Sequence, residues 1–497
     1  MSGWEYPDPA ELVGLTDDDD WSALLGRYPS LNPRPLERCL EVARAGGART
    51  AVIETRYLDE DYRSEYSAFF SKTFAEVPDT SHRIHFFTCA LTSEQLWDLP
   101  TNHGYVGFVV IRPSQLGRVG RTMLTPPPDL TASIRTAVTS TVSFFGQRLH
   151  VSGVPFAEQD AQFGRCAHVA AWICHYSAAL RGDTPRRLMA DFTLLADANV
   201  LEGRPVPSQG LTGLQLSNLL RDFGLPPLFY RMGELPTPDP STAPPEHPVG
   251  QHPGRWDTRI VAIACRYLNS GYPVLIGTTD HAFVLTGYGR RRRDGEPDWI
   301  TFVRHDDQRG PYLVVDNVLD DTDPATGHDH GPWTMLIAPV PDKLWLSPEA
   351  AERTGQSYML AMSAEVATRG LVTPARALHT LDAKGHVAYR TYAISATAFK
   401  AAVLARGLDR SAISEYRLAR LPRLVWVVEA IDRRRRTRQQ PSVIAEAVFD
   451  STSTDYDPSE LIIRVPGACL VRQTDGSMRF PLPSPPRYAT SAAGTQP

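Results

Sequence analysis

The chain has 497 residues, 42% of them apolar and 22% charged, which is enough to bury more than one core, so two or three domains are expected. A net charge of −5 and an isoelectric point near 6.3 argue against a nucleic-acid-binding surface spread over the whole protein. The opening Met1–Pro9 runs into Asp17-Asp18-Asp19-Asp20 without the basic and apolar segments of a signal peptide, and no apolar run approaches the ~18 residues of a membrane span, so a cytoplasmic protein is expected.

In chain order, helices are expected over residues 36–45 and 61–76; in the second, Tyr62, Tyr66, Phe69, Phe70 and Phe74 recur at helical spacing. Strand-like runs follow at 83–88, 104–111 and 137–144, and together these make residues 1–150 an N-terminal α+β region. Residues 151–348 read as a further domain, the candidate for any catalytic role, with a helical half first. One helix covers 166–176, and a second is opened by the capping box Thr212-Gly-Leu-Gln215, carried by Leu216, Leu219, Leu220 and Phe223, and ended by Gly224. After a Pro-rich loop over 236–253 a third helix spans 257–270. The sheet half has strands at 272–277, 282–288, 299–305, 312–318 and 333–340, an antiparallel-looking run after helices, which makes the fold class α+β. Residues 349–480 form a further α+β region. Its helices lie near 348–368 and 397–406, its strands at 387–394, 423–431, 442–449 and 460–465, and the tail 481–497 has a disordered composition. No repeat of 20–50 residues is visible.

Six cysteines are scattered without C-x-x-C spacing, which suggests reduced thiols and neither a zinc knuckle nor a disulfide framework. Cys166 differs from the others by its place at the start of a helix. Backbone N–H groups and the positive end of the macrodipole favour thiolate over thiol at such a place. The residues that follow, Ala167, Val169, Ala170, Ala171, Trp172, Ile173 and Cys174, are apolar nearly all round, so the helix should cross the domain centre and hold the sulfur still. Cys39, Cys89, Cys174, Cys265 and Cys469 read as small packed residues.

His281 lies 115 positions beyond Cys166 and heads a strand of apolar or small residues. Its near-neutral titration suits it to take the thiol proton and return it to a leaving group. A base of this kind needs an acceptor on its other ring nitrogen. The next strand ends in His305-Asp306-Asp307, and Asp306 is the first choice for that acceptor, with Asp307 second and Asp316 third. Gln159 and Gln162 precede the thiol, where one side-chain amide with the Cys166 N–H would stabilise an oxyanion.

The order Val154-Pro-Phe-x-x-Gln159, then Cys166-Ala at a helix start, Gly271-Tyr-Pro-Val274, His281 with Gly287-Tyr288, and a strand ending in His305-Asp306 resembles papain-like cysteine peptidases. The likeness is strongest to the bacterial branch that includes the double-glycine leader peptidases of bacteriocin exporters, and it covers roughly residues 150–345. It implies Cys166 as nucleophile, His281 as base, Asp306 as orienting residue and Gln159 as oxyanion donor, with a thioester intermediate and a protein or peptide substrate. The sequence departs from the pattern in having Ala167 where many members carry glycine, and seven positions between Gln159 and Cys166.

Other motifs read more plainly. His328-Asp-His330 with Asp320, Asp321 and Asp323 fits neither an EF-hand loop nor a zinc motif and reads as a solvated acidic loop. The runs Arg290–Arg293 and Arg433–Arg436 read as charged hairpin tips rather than nucleic-acid contacts, and His168 and His175 as packed residues. No cofactor, metal, membrane or nucleic-acid partner is expected. The rival to an acyl-transfer hydrolase is a papain-fold binding or scaffold protein without catalysis.

Overall fold

The computed structural model describes residues 10–114, 117–160, 162–196, 210–234, 258–291, 299–315, 332–406, 408, 410–434, 442–472 and 478–482. The 236–253 loop, Asp316, the acidic segment 320–330, the distal parts of both arginine runs and the tail beyond 482 lie outside the described residues. Mixed α+β structure is observed, with eleven α-helices among the described residues and antiparallel sheets throughout. None of these helices is long and apolar enough to cross a membrane.

The chain divides into two compact units. The first takes in Met1–Leu235, Gln251–Trp256 and Gly271–Pro341; the second takes in Pro236–Gly250, Asp257–Ser270 and Asp342–Pro497. Residue 150 therefore falls inside the first unit, and the helix expected over 257–270 falls in the second.

In the first unit a five-stranded sheet runs in the spatial order Ala10–Gly14, Thr50–Tyr57, Ser81–Phe87, Tyr105–Ile111 and Val119–Leu124. Its strands other than Ala10–Gly14 are largely buried on both faces. Ile53, Ile84, Phe86 and Val109 join the main core with Trp172, Leu275, Val284 and Val303, while Val52, Phe87, Phe108 and Val110 pack with Val138, Val142, Phe144 and Leu149 of the hairpin Val138–Phe144 and Gln147–Gly153. The N-terminal α+β region and the region bearing Cys166 thus share one apolar interior. The second sheet has the order Gly310–Val315, Trp299–Asp306, Ala282–Arg291, Val274–Gly277, Met335–Pro339 and Pro227–Arg231, with Ala132–Ser133 paired beside Ala282–Arg291.

The helix Cys166–Leu180 runs beyond its expected end and is buried along most of its length, as its all-round apolar sequence requires. The Thr212 capping box is present: Gln215 N donates to Thr212 Oγ1 at 3.2 Å and Thr212 N to Gln215 Oε1 at 2.8 Å. The helix Gly213–Asp222 then ends before Gly224, which sits at φ +79. The acidic run at 17–20 caps another helix, Asp18–Gly26, with Asp20 N donating to Asp17 Oδ1 at 3.0 Å.

The helix expected over 61–76 is shorter. It spans Glu60–Ala68 and gives way to a short 3₁₀ turn at Phe70–Lys72. Phe69, with φ −129 and ψ −61, leaves helical geometry so that its ring stacks on Phe163 at 4.7 Å, and Phe74 is fully exposed. Helical spacing alone continued the element past the point where aromatic packing stops it.

The second unit is a six-stranded antiparallel meander, Val387–Ser395, Leu424–Asp432, Val443–Asp450, Glu460–Val465, Ala468–Arg472 and Met478–Leu482. Pro481 and Leu482 belong to its last strand rather than to a disordered tail. Arg390, Glu429, Glu446 and Arg464 are register partners in a row across four adjacent strands, and Arg406 adds an ion pair to Glu446 at 2.8 Å. The helix Thr258–Asn269 is tied to this unit by Arg266, which donates to Glu349 at 3.0 Å and Glu352 at 2.8 Å, and by Ser270 Oγ, which accepts from Ala393 N at 2.8 Å. The close fit of Pro348–Thr368 on the sheet needs Gly355, where a Cβ would lie 3.1 Å from Val428 and 3.2 Å from Phe449.

Candidate active site

Cys166 is the first residue of its helix, and two devices shape the turn that presents it. Arg165, the N-cap, is extended at φ −115 and ψ 172, and its N–H donates to His168 Nδ1 at 3.2 Å. Burial holds His168 down to about 4, so the ring is neutral and able to accept. Upstream, Asp160 Oδ1 accepts the backbone N–H groups of Gln162, Phe163 and Gly164 at 2.8, 2.7 and 3.0 Å. Arg112 fixes the same loop from behind, donating to Glu158 O at 2.6 Å while its other donors reach Gly117 O, Val119 O and Glu65. Cys166 is left half-exposed, whereas Cys39, Cys174, Cys265 and Cys469 are buried. Burial pushes the Cys174 and Cys469 thiols up to about 12.

His281 sits one residue ahead of the strand Ala282–Arg291, at a turn closed by Thr278 N donating to His281 O at 2.9 Å and His281 N donating to Thr278 Oγ1 at 3.1 Å. The register Val284↔His305 with the neighbouring strand brings the end of Trp299–Asp306 alongside the imidazole. His281 Nε2 donates to Asp306 Oδ1 at 3.2 Å, and both side chains are fully buried. The helix that begins with Cys166 packs against the strand that follows His281, and hydrogen bonding from the Cys166 side chain is among the causes that raise His281. An imidazole and a carboxylate are therefore hydrogen-bonded at the ends of two neighbouring strands, beside the helix that begins with the thiol.

The electrostatics follow from that arrangement. Burial by itself would lower the His281 value, but the Asp306 charge and hydrogen bond, the thiol hydrogen bond and the Asp307 charge together raise it well above the ordinary histidine range. Burial would conversely raise Asp306; the His281 charge and hydrogen bond, Arg304 and the Gln308 N–H hold it far below the usual carboxylate range. Asp307 Oδ1 lies 3.7 Å from His281 Nε2. Burial pushes its carboxyl up, and the charges of Asp306 and Glu158 add to this against the pull of His281.

The predicted residues are not all equally placed. Cys166, His281, Asp306 and Asp307 come together. Gln159 is half-buried and makes no side-chain hydrogen bond to the described residues, while Gln162 is exposed with its backbone N–H committed to Asp160. His175 packs against Phe192 and Phe223 at 5.5 and 5.4 Å. Sequence reasoning missed Gln308, whose N–H donates to Asp306 Oδ1 at 3.1 Å and whose Nε2 reaches 3.5 Å from His281 Nδ1. The Asp-Asp-Gln turn after the strand was the available signal. Arg112 and Glu65 carried none, because their pairing joins elements far apart in sequence.

No known protein family matches the chain, and no curated protein matches it, so neither comparison points to the bacterial leader-peptidase branch. A solved structure, UfSP from C. elegans, is similar over 38% of this chain and 34% of that one, with 13% identity and a TM-score of 0.23. The chain thus spans about a third of that protein, at a likeness too slight to argue from.

Proposed function

We propose that the protein is a cysteine-dependent acyl-transfer hydrolase of papain-like architecture, acting on the amide or isopeptide bonds of a protein or peptide. The observation that carries this reading is the fully buried His281–Asp306 hydrogen bond, formed at two strand ends where the helix that begins with Cys166 packs. Support for the architecture comes from the division of labour, with the thiol on a buried helix and the base and its acceptor on an antiparallel sheet.

In the proposed reaction the Cys166 proton passes to His281 Nδ1, since Nε2 is held by Asp306. The raised His281 value favours the resulting imidazolium, and the buried Asp306 charge stabilises it. Sulfur attacks the carbonyl carbon, and the oxyanion is met by the Cys166 N–H and the Gln159 amide. Collapse breaks the C–N bond as imidazolium protonates the leaving amine, leaving a thioester. Water then attacks with His281 again as base, releasing the acid and restoring the thiol.

The test is labelling with a thiol-directed electrophilic substrate analogue. Cys166 is the expected adduct site. His281→Ala should slow labelling by about a hundredfold or more, with an unchanged circular-dichroism spectrum. Absence of a Cys166 adduct in the folded protein would favour the scaffold reading, and preferential labelling of half-exposed Cys89 would move the site.

A further inference from the structure

We infer that His281, Asp306 and Asp307 form a binding site for a divalent transition metal of zinc-like preference, and that its occupation switches the proposed acyl-transfer site off. The ligand set stands on geometry; only its inhibitory consequence rests on the proposed function.

One imidazole nitrogen and one oxygen from each carboxylate lie within 4.8 Å of one another. His281 Nε2 is 3.2 Å from Asp306 Oδ1 and 3.7 Å from Asp307 Oδ1. Zinc bonds of about 2.0–2.2 Å in tetrahedral geometry place neighbouring ligand atoms about 3.4 Å apart. The two separations bracket that edge, and the third, between the two carboxylate oxygens, is no longer than 4.8 Å, so closing the coordination needs the two carboxylates to turn toward the ion. The spacing suits zinc better than calcium or magnesium, which call for six or more oxygens, many of them from water or carboxylate.

The second observation is Asp307 itself. Its side chain is 3% exposed, yet neither carboxylate oxygen has a hydrogen-bond partner among the described residues, and Asp306 Oδ2 lacks one as well. A carboxyl group buried without partners is unfavourable and is stabilised by any group that pairs with it. Arg304 approaches Asp306 Oδ2 at 3.5 Å. A cation held by Nε2 and one oxygen of each carboxylate would give Asp307, whose side chain otherwise has no hydrogen-bond partner among the described residues, an electrostatic one.

Occupation would disable the base. A metal on Nε2 takes the place of the proton that Nε2 directs at Asp306: in the neutral ring that proton moves to Nδ1, and in the imidazolium the Nε2 proton goes to solvent while Nδ1 keeps its own, so either way one proton remains, on Nδ1. Such a ring cannot accept the thiol proton, and it is a much weaker acid toward a leaving amine than an imidazolium. The switch is reversible by any chelator that outcompetes the three ligands.

Zinc chloride titrated calorimetrically into the full chain tests the site without reference to turnover. Binding should persist within about threefold in Cys166→Ala, which removes the thiolate as an alternative ligand. It should weaken at least about tenfold in Asp307→Asn and in His281→Ala. Asp307→Asn keeps the side-chain shape, and circular dichroism verifies folding of each variant. In parallel, zinc should suppress electrophile labelling of Cys166 and EDTA should restore it, with suppression lost in Asp307→Asn. Zinc affinity abolished by Cys166→Ala but untouched by Asp307→Asn would overturn the inference in favour of thiolate ligation, and equal affinity in all variants would overturn it outright. Zinc bound through Asp307 in a metal-free chain whose Cys166 never labels would leave the metal site standing and remove the hydrolase reading instead.

Discussion

At the scale of single residues, His168 shows how a buried side chain shapes the turn that presents Cys166. It caps the helix that begins with Cys166 by accepting the Arg165 N–H, a role open only to the neutral ring. Burial holds its folded value down to about 4, against about 6.5 for an unfolded histidine. The unfolded chain therefore takes up this proton first as pH falls. Stability from this group is complete above about 6.5 and is lost between there and about 4, by on the order of 3 kcal/mol. Urea unfolding at pH 7.5 and pH 4.5 should show His168→Asn with a smaller acid loss than the parent by about that amount. An equal loss in both would mean that the cap is not what titrates. His168 was legible in sequence only as a packed residue, because its partner is a backbone N–H whose direction depends on how the preceding loop turns.

At the scale of elements, the loop that delivers Cys166 depends on a close backbone approach. Gly117 adopts φ +64, and a Cβ there would sit 2.5 Å from Gln159 O and 2.7 Å from the Asp160 Cα. Both the left-handed conformation and the contact oppose a side chain. Gly117→Ala is expected to cost about 2–4 kcal/mol, read as a drop in the urea midpoint, and to slow Cys166 labelling by shifting the 158–160 backbone. A variant with parental stability would show that the loop yields freely. The capping box at Thr212 is the opposite case, a local device readable from four residues. Thr212→Ala should lower stability by about 1 kcal/mol, measured by the same denaturation. Helices with their own caps and apolar faces were visible in sequence. The early end of Glu60–Ala68 was not, since stacking of Phe69 on Phe163 decides it.

At the scale of the whole molecule, the first unit is joined through Arg112. Its guanidinium pairs with Glu65 at 3.1 Å and donates to three carbonyls on two other segments, all out of solvent. Burial pushes Glu65 up to about 8 even against this partner, so the value of Arg112 lies as much in the carbonyls as in the ion pair. Arg112→Met would leave those acceptors unsatisfied and is expected to destabilise the unit by about 3–5 kcal/mol, seen in calorimetric unfolding. Loss of under about 1 kcal/mol would show that water replaces the guanidinium.

Period, caps and composition belong to neighbouring residues, and so the sequence by itself determined the α+β class and most elements, and set in chain order a helix-start cysteine and a histidine at a strand start. Asp306 followed from the same logic, since an antiparallel neighbour returns its end to the histidine. Only the tertiary structure decided that residues on both sides of position 150 share one core, that Thr258–Asn269 packs with the second unit, and that Asp307 and Gln308 close around the imidazole. Those outcomes depend on strand register and on burial contributed by distant segments, and neither is encoded in any short window of the chain.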